Sequence, residues 1–259
     1  MKLIFLDTEG TGVDLKEDRL CQVAYKIDDK MTIKNFKPTL PISIKAMSVT
    51  NITNKMVENE EAFKESKFAQ ELQILLNENI LVAHNAQFDI AMLENDGLKV
   101  PNYICTLKLS RYFDDKAEIP EHNLQFLRYY YDVDSNLYSN EQDLVDEQCT
   151  NIIAHSADGD VLVLEAVYKY ILNLAKEKSS TENKDLKSTI GQDEILKRMM
   201  EISEKPSLIR RFSFGKHINK LVEDVAKEDK GYLEWFLRTK EEEGIDEDWI
   251  YTLKYYLTK

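Results

Sequence analysis

The sequence predicts an α/β protein: a mixed β-sheet flanked by helices, followed by a small, mostly helical C-terminal domain. Three observations carry that expectation. Three strand-like runs crowd into residues 2–37, close enough for an antiparallel meander. From residue 63 onward, apolar runs of strand length alternate with segments of helical period. A polar stretch without apolar period then separates these from a last group of helical segments.

Residues 2–7 form the first predicted strand, where Leu3-Ile4-Phe5-Leu6 leads into Asp7-Thr8-Glu9-Gly10-Thr11-Gly12. Arg19 to Ile27 and Met31 to Lys37 are the second and third, with Asp28-Asp29-Lys30 as the turn. Pro38 and Pro41 end the pattern, and residues 42–57 read as short helices around a loop, with Thr53 as an N-cap. Phe63 to Leu76 reads as one amphipathic helix, its apolar face made by Phe68, Leu72, Leu75 and Leu76. Ile80 to Ala83 is a buried strand that runs into His84-Asn85-Ala86-Gln87-Phe88-Asp89 and then a helix over 90–95, closed by Gly97. Tyr103 to Cys105 is a short strand, with Thr106 as N-cap of a helix over 107–113. Asn123 to Tyr131 and Leu144 to Ala154 are helical, residues 155–160 interrupt the period, and Val161 restarts a long helix. The expected division is therefore residues 1–176, a linker over 177–191, and a second domain over 192–259. That second domain is close to the lower size at which domains fold alone. Its predicted elements are helices over 194–203, 221–226, 232–238 and 249–257, with a short basic strand over 209–214.

Composition narrows the function. With 43% hydrophobic and 31% charged residues in 259, the chain reads as soluble and globular. No stretch has the apolar length of a membrane helix, and the N-terminal run is too short for a secretory signal. Cys21, Cys105 and Cys149 are odd in number and far apart, fitting neither a zinc spacing nor a disulfide framework. They are expected to be reduced thiols in a cytoplasmic protein. A net charge of −13 argues against a protein that coats nucleic acid non-specifically. It argues less against an enzyme whose carboxylates hold cations.

Side chains alternate along a strand, so Asp7 and Glu9 point to one side. Two carboxylates at the end of a buried strand form an oxygen-rich site suited to Mg²⁺ or Mn²⁺. Alone, Asp-Thr-Glu-Gly is equally a polar strand end entering a turn. Asp89 at a helix start, and His155 and Asp160 around a helix junction, add to it, because ligand sites gather at strand ends and helix starts on one sheet edge.

On these residues the chain resembles the DEDD exonucleases of the histidine-containing branch, most of all its exonuclease X-like members. The family's Asp-x-Glu-x-Thr-Gly is similar to Asp7 to Gly12, and its His-Asn-x-x-Phe-Asp to His84 to Asp89. Its third motif, His with Asp five positions on, is similar to His155 and Asp160. Pro41-Ile42 with Thr50-Asn51-Ile52-Thr53 resembles its substrate loop, with Asn51 where the family usually has Gly. The resemblance covers about residues 1–175 and implies an RNase H-like sheet. It implies a 3′–5′ exonuclease that releases nucleoside 5′-monophosphates with two divalent cations, Mg²⁺ or Mn²⁺. Asp7, Glu9 and Asp160 would hold the first ion, Asp7 would bridge to the second, and Asp89 would meet that one through water. His155 would be the general base, a task that suits histidine because the unperturbed imidazole titrates near neutrality. Thr8, Gly10 and Thr11 would offer backbone groups or a hydroxyl to the terminal nucleotide, or serve only the turn. Asn85 would bond either that turn or the substrate's 3′ end, and His84 would support its loop.

The implied partner is nucleic acid with a free 3′ end, single-stranded DNA ahead of RNA, with no membrane. The sequence leaves oligomeric state open. A 3′–5′ exoribonuclease of the same family is the runner-up. A non-catalytic nucleic-acid-binding or polymerase-associated module is the third reading, weakened by the intact acidic set.

Phe214-Gly215-Lys216-His217, with Leu221, Val225, Asp229, Tyr232-Leu233 and Trp235, resembles the C-terminal region of exonuclease X-like proteins. Between Lys197 and Lys220 stand seven basic residues against Glu201 and Glu204. Arg210, Arg211 and Lys216 are therefore candidate nucleic-acid contacts, whereas Phe212, Phe214 and Trp235 are expected in a core.

Overall fold

The meander and its extension set the site's position. In the computed structural model, which describes residues 1–134, 157–182, 191–244 and 246–259, β1 (Leu3–Gly10), β2 (Leu20–Ile27) and β3 (Lys30–Asn35) pair antiparallel in chain order. β4 (Ile80–Ala83) joins β1 in parallel, and β5 (Tyr103–Cys105) joins β4, giving the order β3-β2-β1-β4-β5. β1 is thus central, and its two faces enter different cores. Phe5 packs with Val161, Leu164 and Tyr168 on one side. Ile4 and Leu6 pack with Leu72, Leu76 and Leu93 on the other. β1 also runs past the predicted end at residue 7. It stays paired to β2 through Glu9, with a register shift between Glu9 and Gly10, so both acids lie inside the strand.

The helices deviate from expectation where polar side chains intervene. The single helix expected over 63–76 is a 3₁₀ turn (Phe63–Glu65) and then α3 (Lys67–Glu78), after α1 (Ile44–Thr50) and α2 (Asn54–Val57). Ser66 divides them: its Oγ donates to Phe63 O at 2.6 Å and accepts from Ala69 N at 3.0 Å, capping α3. Thr53 caps α2 by accepting from Met56 N. α4 spans Ala86–Asn95. Thr106 is not the cap of α5 (Thr106–Phe113) but its buried first residue, its hydroxyl turned to the end of β4. α6 (Leu124–Tyr130) is capped by Asn123, whose Oδ1 accepts from Phe126 N at 2.8 Å.

α7 runs from Ala157 to Glu182. It contains residues 157–160 without the expected interruption and continues through the first part of the expected linker. The helix expected over 144–154 and residues 183–190 of that linker lie outside the described residues, as does Cys149. Cys21 and Cys105 are free and buried. Among the described residues, no helix is long and apolar enough to cross a membrane.

α8 (Gln192–Ser203) packs on the first unit rather than with the later helices. Its Ile195 and Met199 join the core beneath β1, and Ser203 Oγ accepts from Cys105 N at 2.8 Å. α9 (Val222–Glu228), α10 (Lys230–Glu243) and α11 (Glu247–Thr258) surround a separate core of Phe212, Val222, Leu233, Trp249 and Leu253. The expected strand over 209–214 is reduced to one bridge, Arg211 with Leu221.

An ion pair ties this unit to α5. Arg111 donates to Asp248 at 2.6 Å, with both side chains mostly buried, and Asp248 also accepts from Ser207 N and Oγ. Asp248→Ala leaves a buried guanidinium without its carboxylate, which costs about 3 kcal/mol in such settings. The expected result is a thermal midpoint several degrees lower, with faster proteolysis in 204–259. An unchanged midpoint would show that the pair does not hold the unit.

Candidate active site

The alternation along β1 sorts the acids. Asp7 and Glu9 share the Phe5 face, which carries α7, and Asp160 lies in the first turn of that helix. One carboxylate oxygen from each of Asp7, Glu9 and Asp160 lies within 4.8 Å of the others. Thr8 points to the opposite face and reaches α4. Its backbone N–H and its hydroxyl donate to Asp89 Oδ1 at 3.0 and 2.9 Å, and Asp89 is 2% exposed. Thr8 thereby fixes the second-motif acid to the strand that carries the first-motif pair.

The electrostatics are those of anions crowded together. Burial, with Asp89, Glu9 and Asp160 nearby, holds the Asp7 carboxyl well above the ordinary range. Burial, then Asp160 and Asp89, pushes Glu9 up to about 8. Burial pushes Asp89 to about 7 in spite of the two bonds from Thr8. Asp160 is buried, and its Oδ1 accepts from Gln125 Nε2 at 2.5 Å. An all-oxygen donor set of this charge fits a hard divalent cation. His155 lies outside the described residues.

The expected terminal-nucleotide contacts are largely turned inward. Thr8 and Thr11 are buried and their hydroxyls are engaged in the protein. Thr11 Oγ1 donates to Asp18 at 2.5 Å and accepts from Arg19 N, while Thr11 O accepts from Ser43 N and ties α1 to the first motif. Gly10 is packed tightly: a Cβ there would meet Gly12 O at 3.2 Å. A Cβ on Gly12 would lie 2.4 Å from Asp18 Oδ2. These residues build the loop, with the hydroxyls of Thr8 and Thr11 spent inside the protein.

Asn85 is exposed with φ of 62°, precedes α4 without capping it, and borders a groove. Burial pushes the neighbouring His84 down to about 3, so the ring is neutral. Its Nε2–H then donates to His122 O at 2.8 Å and its Nδ1 accepts from Thr106 Oγ1 at 2.9 Å. His84 thus locks the loop that carries Asn85. Asn51 stands at φ 59° as the C-cap of α1. Asn enters the left-handed region more readily than most other non-glycine residues, which accounts for Asn where the family usually has Gly.

The groove of about 1230 Å³ runs from Val13–Lys16 past Asn85 and Phe88 to the C-terminal unit. The sequence-predicted basic contacts border it or lie near it, but they are engaged. Arg210 donates to Arg111 O at 2.7 Å, and Arg211 donates to Asn219 O at 2.6 Å and Ala117 O at 3.0 Å. Lys216 pairs with Asp229 at 2.7 Å. The arginines therefore satisfy backbone carbonyls and seat the C-terminal unit on the first. Phe212 is in the core as expected, whereas Phe214 and Trp235 are 43% and 51% exposed. Gln125 was not legible as a site residue: nothing in its type or spacing distinguishes it from any polar residue in a first helical turn.

A family model described as Exonuclease matches residues 4–168, and one described as Exodeoxyribonuclease X-like C-terminal matches residues 212–240. The chain is 28% identical over 222 residues to exodeoxyribonuclease 10 of Escherichia coli K12, covering 85% of this chain and 82% of that protein. It is 33% identical over 92 residues to DNA polymerase III subunit epsilon of Treponema pallidum, covering 34% of this chain and 42% of that one. In fold it is similar to a solved exonuclease X in complex with 5′ overhanging duplex DNA. The TM-score is 0.53 at 22% identity, covering 78% of this chain and 99% of that one. The match spans β1, α4 and the start of α7, the three elements that bring the acids together, and the chain belongs to the exonuclease family.

Proposed function

We propose that this chain is a cation-dependent 3′–5′ exodeoxyribonuclease that removes nucleoside 5′-monophosphates from DNA ends. The observation that carries the reading is the convergence of Asp7, Glu9 and Asp160 within 4.8 Å at the end of β1, with Asp89 bonded to Thr8 beside them. DNA is favoured over RNA by the similarity to exodeoxyribonuclease 10, which extends over most of both chains. The buried free thiols of Cys21 and Cys105 support a reducing, cytoplasmic setting.

Asp7, Glu9 and Asp160 would hold one Mg²⁺ or Mn²⁺, and Asp7 with Asp89 a second. Bound there, a pair of divalent ions stabilises charge on the attacking and leaving oxygens of a phosphodiester. The chain's own share is to keep the four carboxylates gathered. Thr8 orients Asp89, and the main-chain pairing of Asp7 with Ala24 and of Glu9 with Gln22 holds the strand end in place. His155 would take the proton of the attacking water.

The test uses 3′-labelled and 5′-labelled DNA and RNA oligonucleotides with Mg²⁺, Mn²⁺ or a chelator. The expected result is stepwise loss from the 3′ end of DNA, abolished by the chelator. Cleavage from the 5′ end, or activity surviving full chelation, would reject the mechanism. Faster loss from RNA would overturn the substrate class. Binding without turnover on every substrate would leave a non-catalytic module.

A further inference from the structure

Gln125 makes a contact with the site that its sequence position does not announce. It stands in the first turn of α6, on neither β1, which carries Asp7, nor α4, which carries Asp89. Asn123 caps that turn, and Leu124, Phe126 and Leu127 on either side of Gln125 pack into the same core as Val161 and Leu164 of α7. The backbone of Gln125 is thus fixed against the helix that carries Asp160. Its Nε2 donates to Asp160 Oδ1 at 2.5 Å. Its Oε1 is buried and has no hydrogen-bond partner among the described residues.

We infer that Gln125 is a positioning residue for the third carboxylate, holding Asp160 toward Asp7 and Glu9 and thereby setting the cation affinity of the site. This inference rests on the cation-dependent reading above. The physical need is plain. Three carboxylates within 4.8 Å repel one another. Asp160 comes from a different element than Asp7 and Glu9, so no strand geometry holds it in the cluster. A donor fixed on α6 adds to that restraint by engaging one carboxylate oxygen.

A neutral amide suits the task better than a lysine or arginine. It orients the carboxylate without supplying a positive charge that would compete with the ion. The unpartnered Oε1 fits the same role. Buried acceptors in native structures are nearly always satisfied. Among the described residues no donor meets this one, and it lies on the amide that already contacts a member of the cluster.

The test measures Mn²⁺ binding calorimetrically in the full chain without nucleic acid, for wild type, Gln125→Met and Gln125→Ala. Thermal midpoints are recorded with and without Mn²⁺. Wild type is expected to bind Mn²⁺. Both variants are expected to bind about tenfold more weakly or worse, the scale seen when a residue orienting a ligand is lost. Their midpoints without the ion should stay near wild type, and the rise on adding Mn²⁺ should shrink. In the nuclease assay, the Mn²⁺ concentration for half-maximal rate should increase, with much of the rate recovered at saturating Mn²⁺. If wild type binds no Mn²⁺, the cation reading itself fails. If wild type binds and either folded variant binds within twofold of it, the role given to Gln125 is overturned while the cation reading stands. A purely structural role predicts a lowered midpoint at unchanged Mn²⁺ affinity, which the same data separate.

Discussion

Asp7→Ala should lower turnover on saturating DNA by at least about a thousandfold and, in chelator, raise the thermal midpoint. Both expectations come from the same crowding. Asp7 is the acid whose carboxyl is raised by Asp89, Glu9 and Asp160 together, so it stands at the centre of the group. In the proposed chemistry it is also the one residue that touches both cation positions. A thousandfold loss corresponds to about 4 kcal/mol of transition-state stabilisation. That is a reasonable share for a group whose removal disables two charge-stabilising positions at once.

The rise in stability follows because the carboxylate is a liability until a cation arrives. Alanine removes the repulsion and keeps the β1–β2 pairing of residue 7 with Ala24. Adding Mg²⁺ or Mn²⁺ should reverse the order, raising the wild-type midpoint above that of the variant. Turnover retained within tenfold of wild type would place the centre elsewhere. A lower midpoint in chelator would show that Asp7 serves the fold rather than the ion.

Much of this arrangement was legible in the sequence because period-two alternation is a local property. Phe5, Asp7 and Glu9 had to share a face, and the structure puts that face toward α7. What was not legible depends on contacts between distant segments. Thr8 read as a residue for the substrate, yet its donors are used on Asp89, 81 positions away. Arg210 and Arg211 read as a basic island because charge counting ignores partners. Their guanidinium groups reach Arg111 O and Ala117 O, on a segment some hundred residues earlier. Ser66 and Thr106 show the same limit on a smaller scale. A hydroxyl next to a helical run marks a cap, but only its neighbours decide whether it caps, divides or bonds another strand end.

Raising the pH from about 6.5 to about 8.5 should destabilise the cation-free protein and leave the cation-saturated protein nearly unaffected. In the unfolded chain Glu and Asp side chains ionise near pH 4. In the folded chain Glu9 is held up to about 8 and Asp89 to about 7. Across the interval between those values the folded state binds more protons than the unfolded state, so stability falls as pH rises. The Asp7 carboxyl, held well above the ordinary range by burial and its acidic neighbours, adds to the same fall, and the slope vanishes once all three carboxyls are ionised in both states.

His84 acts in the opposite sense, since burial holds its folded pKa to about 3. It favours the folded state increasingly as pH rises toward the unfolded histidine value near 6.5, and is silent above it. The lower bound of the window is set there so that the acids dominate; the buried thiols of Cys21 and Cys105, held above their ordinary range, add a fall of the same sign only near its upper end. The expected loss is on the order of 2 kcal/mol, a fall of a few degrees in the midpoint. A bound divalent ion ionises the carboxyls at the start of the window and removes the slope, and its binding releases protons. Glu9→Gln should reduce the cation-free slope, because it deletes a group that titrates within the window. Thermal midpoints in chelator and in saturating Mg²⁺ at four pH values decide the matter. A cation-free midpoint that rises with pH, or a slope that Mg²⁺ leaves intact, would mean that the acids at the end of β1 are not the groups that hold the ion.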